Sequence, residues 1–218
     1  MRRTKEDALL TRELLLDAAE LVFSDKGVSQ TSLQDIAQAA GVTRGAIYWH
    51  FKDKAALFNA MMDRSTSPIE ETIVKVGQES TDQPLSQIRA AMMDALNRIA
   101  NEPRTRRVIG IAANKVEYVD ELSDVRARHV NVHLNCRKHI ETAMKRAQKL
   151  GHIARQPSAR VMTVGLQALV GGLINTWMLD DSLFNLTRTG AQAIDVYLAG
   201  LMATSPSLVS SRPTSSSR

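Results

Sequence analysis

Between Thr31 and Lys54 the chain has room for two short helices and little else. Leu33, Ile36, Ala37 and Ala40 recur at helical spacing and would bury one face. Thr31-Ser32-Leu33-Gln34 fits a capping box at the start of that helix, with Thr31 as the cap and Gln34 reaching back. Gly41 suits a left-handed stop, and Val42 should turn inward. Thr43 can cap a second helix that ends near Phe51. Helix, glycine-containing turn and short helix is a layout in which the second helix can enter a groove of duplex DNA.

The side chains of the second helix support that use. Arg44 follows the cap at once, where a long guanidinium can leave the helix end and meet guanine O6 and N7. Gly45 and Ala46 carry almost no side chain, so the backbone can approach another surface. In an ordinary core helix such a glycine would cost about 1 kcal/mol relative to alanine. Thr43, Tyr48, Trp49, His50, Lys52 and Lys54 offer polar or cationic tips to phosphates, and Thr31 and Ser32 can add to them from the first helix. Arg2, Arg3 and Lys5 form a basic arm that reads either as phosphate contact or as a disordered start.

Three runs carry a resemblance. They are Thr31-Ser32-Leu33-Gln34-Asp35-Ile36-Ala37, Ala40-Gly41-Val42-Thr43-Arg44-Gly45-Ala46-Ile47-Tyr48-Trp49-His50-Phe51, and Lys52-Asp53-Lys54-Ala55-Ala56-Leu57-Phe58. Together they closely resemble the TetR family of bacterial transcriptional repressors. The Thr-Arg-Gly-Ala-Ile-Tyr-Trp-His-Phe form is most similar to the multidrug-efflux subgroup, the AcrR- and TtgR-like regulators. Arg2-Arg3-Thr4-Lys5 and Asn114-Lys115-Val116-Glu117-Tyr118 are similar to that subgroup as well. The resemblance is strong over about the first quarter of the chain and continues more weakly after it.

The rest of the chain agrees with an all-α fold. Long segments of 3.6-residue period dominate its 218 residues, and no alternating pattern persists. A first helix over Asp7 to Lys26 would bury Leu15, Ala18, Ala19, Val22 and Phe23 and stop at Gly27. A fourth starts at Asp53 and runs to about Gly77, with Pro68 as a kink or break. A fifth aligns Leu85, Ile88, Met92, Leu96 and Ile99. A short helix over Arg104 to Asn114 precedes a long one from Tyr118 to about Leu150, closed by Gly151. Pro157 and Ser158 open an apolar helix through Trp177, and the last helix runs from about Thr187 to Ala203. The expected domains are an N-terminal three-helix helix-turn-helix domain over 10–70, with its reader pair at 31–50, and a helical bundle over 71–204. A disordered, serine-rich tail fills 205–218. The fourth helix connects the two halves.

Charge and cysteine content narrow the function. The net charge of +5 permits a nucleic-acid partner, yet residues 1–54 hold about as many acids as bases. The excess of cations lies around 104–160 and reads as a solvated face. The DNA reading therefore rests on placement. A single Cys excludes an internal disulfide, and the charged N-terminus lacks an apolar signal core. Val161 to Leu179 is broken by Gln167, Asn175 and Thr176 and reads as a buried helix rather than a membrane span. The expected compartment is the cytoplasm. No nucleophile motif, phosphate loop or carboxylate pair suggests an enzyme, and no cofactor is called for. His129, His133 and Cys136 stand at i, i+4 and i+7 with zinc-type ligands, a weak metal signal that reads better as two partly exposed imidazoles on a basic face and a small buried thiol.

The resemblance implies that the second half binds a small molecule and forms a homodimer. Met92, Met93, Leu96, Ile109, Ala113, Ile140, Val170 and Ile174 suit an adaptable apolar cavity, with Cys136 on its wall. Asn114, Glu117 and Asn175 are its polar candidates, and Glu117 would favour cationic drugs. The last two helices are apolar on more than one face and need cover. Leu166, Leu169, Leu173, Trp177, Ile194, Tyr197, Leu198 and Leu201 are the candidates for pairing with a second copy. The expected partners are thus palindromic double-stranded operator DNA, a second copy, and a small hydrophobic or cationic effector that releases the DNA. The implied targets are the genes of a multidrug efflux pump. A regulator of another pathway answering to a metabolite, or an architectural DNA-binding protein, are the alternatives.

Overall fold

Each long-period segment forms a helix. The computed structural model describes residues 5–116 and 122–203, and among them no strand forms. The helices are α1 (Lys5–Lys26), α2 (Leu33–Ala39), α3 (Arg44–His50), α4 (Lys54–Gln78), α5 (Pro84–Asn101), α6 (Pro103–Asn114), α7 (Ser123–Lys149), α8 (Ala159–Leu179) and α9 (Leu186–Ala203). The expected tail and the arm residues Arg2 and Arg3 lie outside the described residues, as does Glu117.

The stops follow from local chemistry. Gly41 takes φ +67° after α2, a conformation a Cβ would strain, and the Val42 amide then bonds back to the Ala37 carbonyl at 3.0 Å. Gly151 does the same after α7, with the His152 amide 3.0 Å from the Ala147 carbonyl. Asp53 caps α4 by accepting from the Ala56 amide at 2.7 Å, and Ser158 caps α8 from the Val161 amide. Of the kink or break expected at Pro68, the break does not occur: α4 runs through the proline. Burial explains this: Leu57, Phe58, Met61 and Met62 before the proline, and Ile73 and Val76 after it, all lie in cores.

The chain forms two units, Met1–Glu70 with Asn97–Leu134, and Glu71–Leu96 with Asn135–Arg218. The sequence grouped Asn97–Leu134 with the second half, and the structure groups it with the first. Its apolar side chains are the reason. Val108 and Ile111 of α6, with Leu122 and Val125, enter the same core as Leu15, Leu16, Phe23, Ile36, Ile47, Leu57 and Met61. Phe23 and Phe58 meet within it at a tilt of 55°, with ring centroids 5.9 Å apart. Burying each such side chain contributes about 1.5–3 kcal/mol. This shared core fixes α2 and α3 against α1, and so fixes which face of α3 meets solvent.

The second unit has its own core around Ile88, Met92, Leu96, Ile140, Met144, Leu166 and Ile194. Leu96 lies against Gly190, where any Cβ would collide with it. Arg89 of α5 holds Asp195 of α9 through two bonds, 2.5 and 2.9 Å long. The Tyr197 hydroxyl donates to the Met162 carbonyl at 2.6 Å and lies over Gly165.

Candidate nucleic-acid interface

The cap of α2 is one residue later than the sequence suggested. Ser32, not Thr31, accepts from the Asp35 amide, and the Asp35 carboxylate accepts from the Ser32 amide at 2.9 Å. The Thr31 hydroxyl is already spent on the Gly27 carbonyl at 2.7 Å and is buried, so it has no free tip for a phosphate. Gln34 stays exposed and takes no part in the box. The Ser32 hydroxyl and amide, with Lys26 beside them, hold the Asp35 carboxyl down at about 2. The Asp35 charge thus secures the start of the helix that carries the turn.

The start of α3 is as expected: the Thr43 hydroxyl accepts from the Ala46 amide at 3.2 Å. Ile47 points fully inward and Ala46 is buried beside it, both on the core side of α3. This corrects the pairing of Ala46 with Gly45 as bare surface, since the small side chain of Ala46 serves packing. The outward face carries Thr43, Arg44, Gly45, Tyr48 and Trp49. Trp49 is 72% exposed, an unusual position for a large apolar ring in a protein that uses it only for itself. His50 is half-buried and meets the Trp49 ring edge-on at 4.6 Å. The Arg44 guanidinium lies 5.7 Å from the centre of the Tyr48 ring.

The two lysines beyond α3 differ. Lys52 is exposed and only loosely paired, 3.5 Å from Asp53 and 3.9 Å from Asp124. Surface pairs of that kind contribute about 0–1 kcal/mol, so Lys52 can exchange them for a phosphate. Lys54 is buried, and its ammonium donates to the Ser29 carbonyl at 3.2 Å. It ties the loop before α2 to the start of α4 and, contrary to expectation, does not stand where a phosphate could reach it. One cation was missed. Arg12 of α1 lies over the Phe51 ring at 5.5 Å, next to the end of α3. Nothing local in the sequence signals that contact.

Other assignments are also relocated. Leu166, Trp177, Ile194, Leu198 and Leu201 are buried within the chain, where α8 and α9 pack on one another. Leu169, Leu173 and Tyr197 are half-buried. Set for a partner by the sequence, these residues chiefly form the protein's own core. The exposed apolar positions are Val161, Val164 and Leu179 on α8, and Val196 and Met202 on α9. Met92, Leu96, Ile140 and Val170 are buried in the second unit, and Met93, Cys136 and Ile174 are half-buried there. Ile109 is half-buried in the first unit, where Ala113 and Asn114 are exposed rather than enclosed. Asn175 is exposed on α8, which removes it from any enclosed wall. On α7, partial burial and the neighbouring His133 and Arg128 push the His129 imidazole below the usual histidine range. Among the described residues no group of three or more His, Cys, Asp or Glu side chains is placed to hold a metal ion.

A capped short helix with a bare glycine, an arginine at its first turn and exposed aromatics defines a helix-turn-helix protein. Residues 15–61 match the family model of bacterial regulatory proteins, tetR family, and residues 83–203 match that of the MAATS-type transcriptional repressor, C-terminal region. The chain belongs to the tetR family of bacterial regulatory proteins. It is 37% identical over 179 residues to the transcriptional regulator TtgR of Pseudomonas putida, covering 82% of this chain and 85% of that protein. Among solved structures it is similar to NalD, the secondary repressor of the MexAB-OprM multidrug efflux pump in Pseudomonas aeruginosa. That match has a TM-score of 0.82 and 32% identity, over 90% of this chain and 98% of the other. It is also similar to the complex of SmeT with triclosan, with a TM-score of 0.80 and 29% identity over 88% and 91% of the two chains.

Proposed function

We infer that this protein is a ligand-responsive repressor of a multidrug efflux operon, released from a palindromic operator by small hydrophobic molecules. The observation that carries the DNA contact is Gly45. Its φ is not left-handed, and a Cβ there would meet nothing nearer than Thr43 Oγ1 at 4.0 Å. The fold does not need a glycine at this place, whereas a backbone pressed into a groove does. Arg44 beside it reads a base edge. Thr43, Trp49, His50 and Lys52 supply phosphate contacts, with Tyr48 in the same surface, while the Ser32 hydroxyl is already given to Asp35.

Cover for α8 and α9 comes from a second copy. Val161, Val164 and Val196 are exposed, and a Cβ on Gly172 or Gly200 would meet nothing within 4 Å. Two helices with bare glycines and exposed valines can approach a symmetry mate closely, which gives an isologous four-helix contact. The same face explains why α8, though long and apolar enough to cross a membrane by length and composition, works in the cytoplasm. Two α3 helices then meet successive major grooves about 34–36 Å apart. The effector site belongs to the second unit, with Met92, Met93, Cys136, Ile140, Val170 and Ile174 as its wall. An effector that prefers the conformer with misplaced α3 helices lowers operator affinity by the ratio of its affinities for the two states.

The test uses purified protein and the DNA upstream of its own gene, with and without cationic and neutral apolar drugs. A single protected palindrome that the drugs release supports the reading. Coating of DNA without sequence preference, or release only by a polar metabolite, refutes it.

A further inference from the structure

We propose that Tyr48 is a positioning residue that aims Arg44, so that base selectivity belongs to the pair rather than to the arginine alone. The proposal rests on the reading of α3 as the element that meets the bases. Arg44 and Tyr48 are i and i+4 on α3, the spacing that makes helical side chains neighbours. The Arg44 Cζ lies 5.7 Å from the Tyr48 ring centre, inside the range of about 6 Å in which a ring face attracts a cation.

Two features make this contact more than chance. Arg44 is the first residue of α3, where the helix dipole opposes a positive charge, so the guanidinium gains by folding back along the helix. Tyr48 is 49% exposed, so its ring stands at the surface of α3 and not in the core, beside the guanidinium that would meet a base. The chemistry suits recognition. A guanidinium laid on a ring uses its face and leaves its N–H edge free, and that edge makes the paired bonds to a guanine. A long flexible side chain thereby has fewer orientations to lose on binding. The rival role for Tyr48, donation of its hydroxyl to a phosphate, needs the hydroxyl and not the ring. The two roles therefore separate in a phenylalanine variant.

The experiment takes a palindromic duplex that the full-length protein recovers from a random-sequence pool. Each base pair of the half-site is replaced in turn, and affinity ratios are measured over a range of salt for R44A, Y48F and Y48A. R44A should flatten the preference at one base pair. Y48A should reduce the preference at that same pair about fivefold, as expected for losing an exposed cation–ring contact. Y48F should keep the ratio, even where its affinity for all duplexes falls together. Adding Y48A to R44A should change the ratio no further. In the free protein, ring shielding of the Arg44 side-chain protons should persist in Y48F and vanish in Y48A.

If Y48F loses the preference as fully as Y48A, the hydroxyl matters and the aiming role is wrong; if Y48A weakens every duplex alike, the ring aims nothing and the role is wrong as well. If R44A flattens a position and Y48A leaves it intact, the aiming role alone fails. If R44A leaves every preference intact, the assignment of Arg44 to a base fails and takes the aiming role with it.

Discussion

Gly45 sets two demands on the same atom against each other. Within the protein a Cβ has open space, and in an exposed helical position alanine is favoured over glycine by up to about 1 kcal/mol. Gly45→Ala should therefore raise the melting temperature while lowering operator affinity at least tenfold. A thermal melt and a binding titration on one preparation check both signs, and a variant that is stabler and binds equally well would remove the close approach. Asp35 gives a test in pH. Its carboxyl is lowered from 3.8 to about 2, chiefly by the Ser32 side chain, so the charged form is favoured in the folded protein. The contribution is complete above the unfolded value and disappears as pH falls from about 4 through about 2. Asp35→Asn should abolish that part of the acid dependence, read as the change in midpoint between pH 5 and pH 2.5. These residues also mark how far sequence reaches. Thr43 was legible because a cap needs only the residue three places on. Thr31 and Ser32 were not separable, because the choice turned on the Gly27 carbonyl, which already holds one hydroxyl. The fate of Lys54 depended on Ser29, a residue distant in the chain.

At the scale of elements, three helices of the first unit meet on one carboxylate. Glu20 of α1 is 1% exposed and is bonded by Arg64 of α4, by Arg104 Nε at 3.2 Å and by Arg107 Nη1 at 3.3 Å, both from α6. Asp17 and Glu13 extend the network, at 2.9 and 2.7 Å from Arg64. Removing one charge from a buried network leaves the others uncompensated, which costs about 3–5 kcal/mol for a fully buried pair. Arg104 and Arg107 reach water, so Glu20→Gln should cost nearer 3 kcal/mol by denaturant unfolding. A cost below about 0.5 kcal/mol would place the network among ordinary surface pairs. Helix registers were readable in advance: Leu15, Ala18, Ala19 and Phe23 are buried as their period requires, and Val22 is half-buried against them. The ties between helices were not. Glu20 sits in the sequence like any surface acid, and its partners come from α4 and α6.

At the scale of the molecule, the open question was which face of α8 and α9 looks outward. Both helices are apolar on more than one face, so a periodic pattern cannot choose between own core and partner. The structure turns Leu166, Ile194 and Leu198 inward and leaves Val161, Val164 and Val196 outside, with Gly172 and Gly200 unobstructed. A two-fold contact through that outer face gives a sharp expectation. Val196 is 74% exposed, so Val196→Glu changes nothing that the protomer packs for itself. Across a symmetry axis it sets a buried charge into an apolar seam, which is expensive without a partner. The variant should run as a monomer in sedimentation, while Val196→Ala stays dimeric. Loss of the second subunit removes the local concentration that links the two half-sites, a factor of about 10²–10⁴. Affinity for the full palindrome should fall toward that for a half-site duplex, while affinity for the half-site duplex itself stays near the wild-type value. Retention of both the dimer and full operator affinity in Val196→Glu would move the interface off this face. Helicity retained in the monomer would show that the loss at the operator arises from assembly and not from folding.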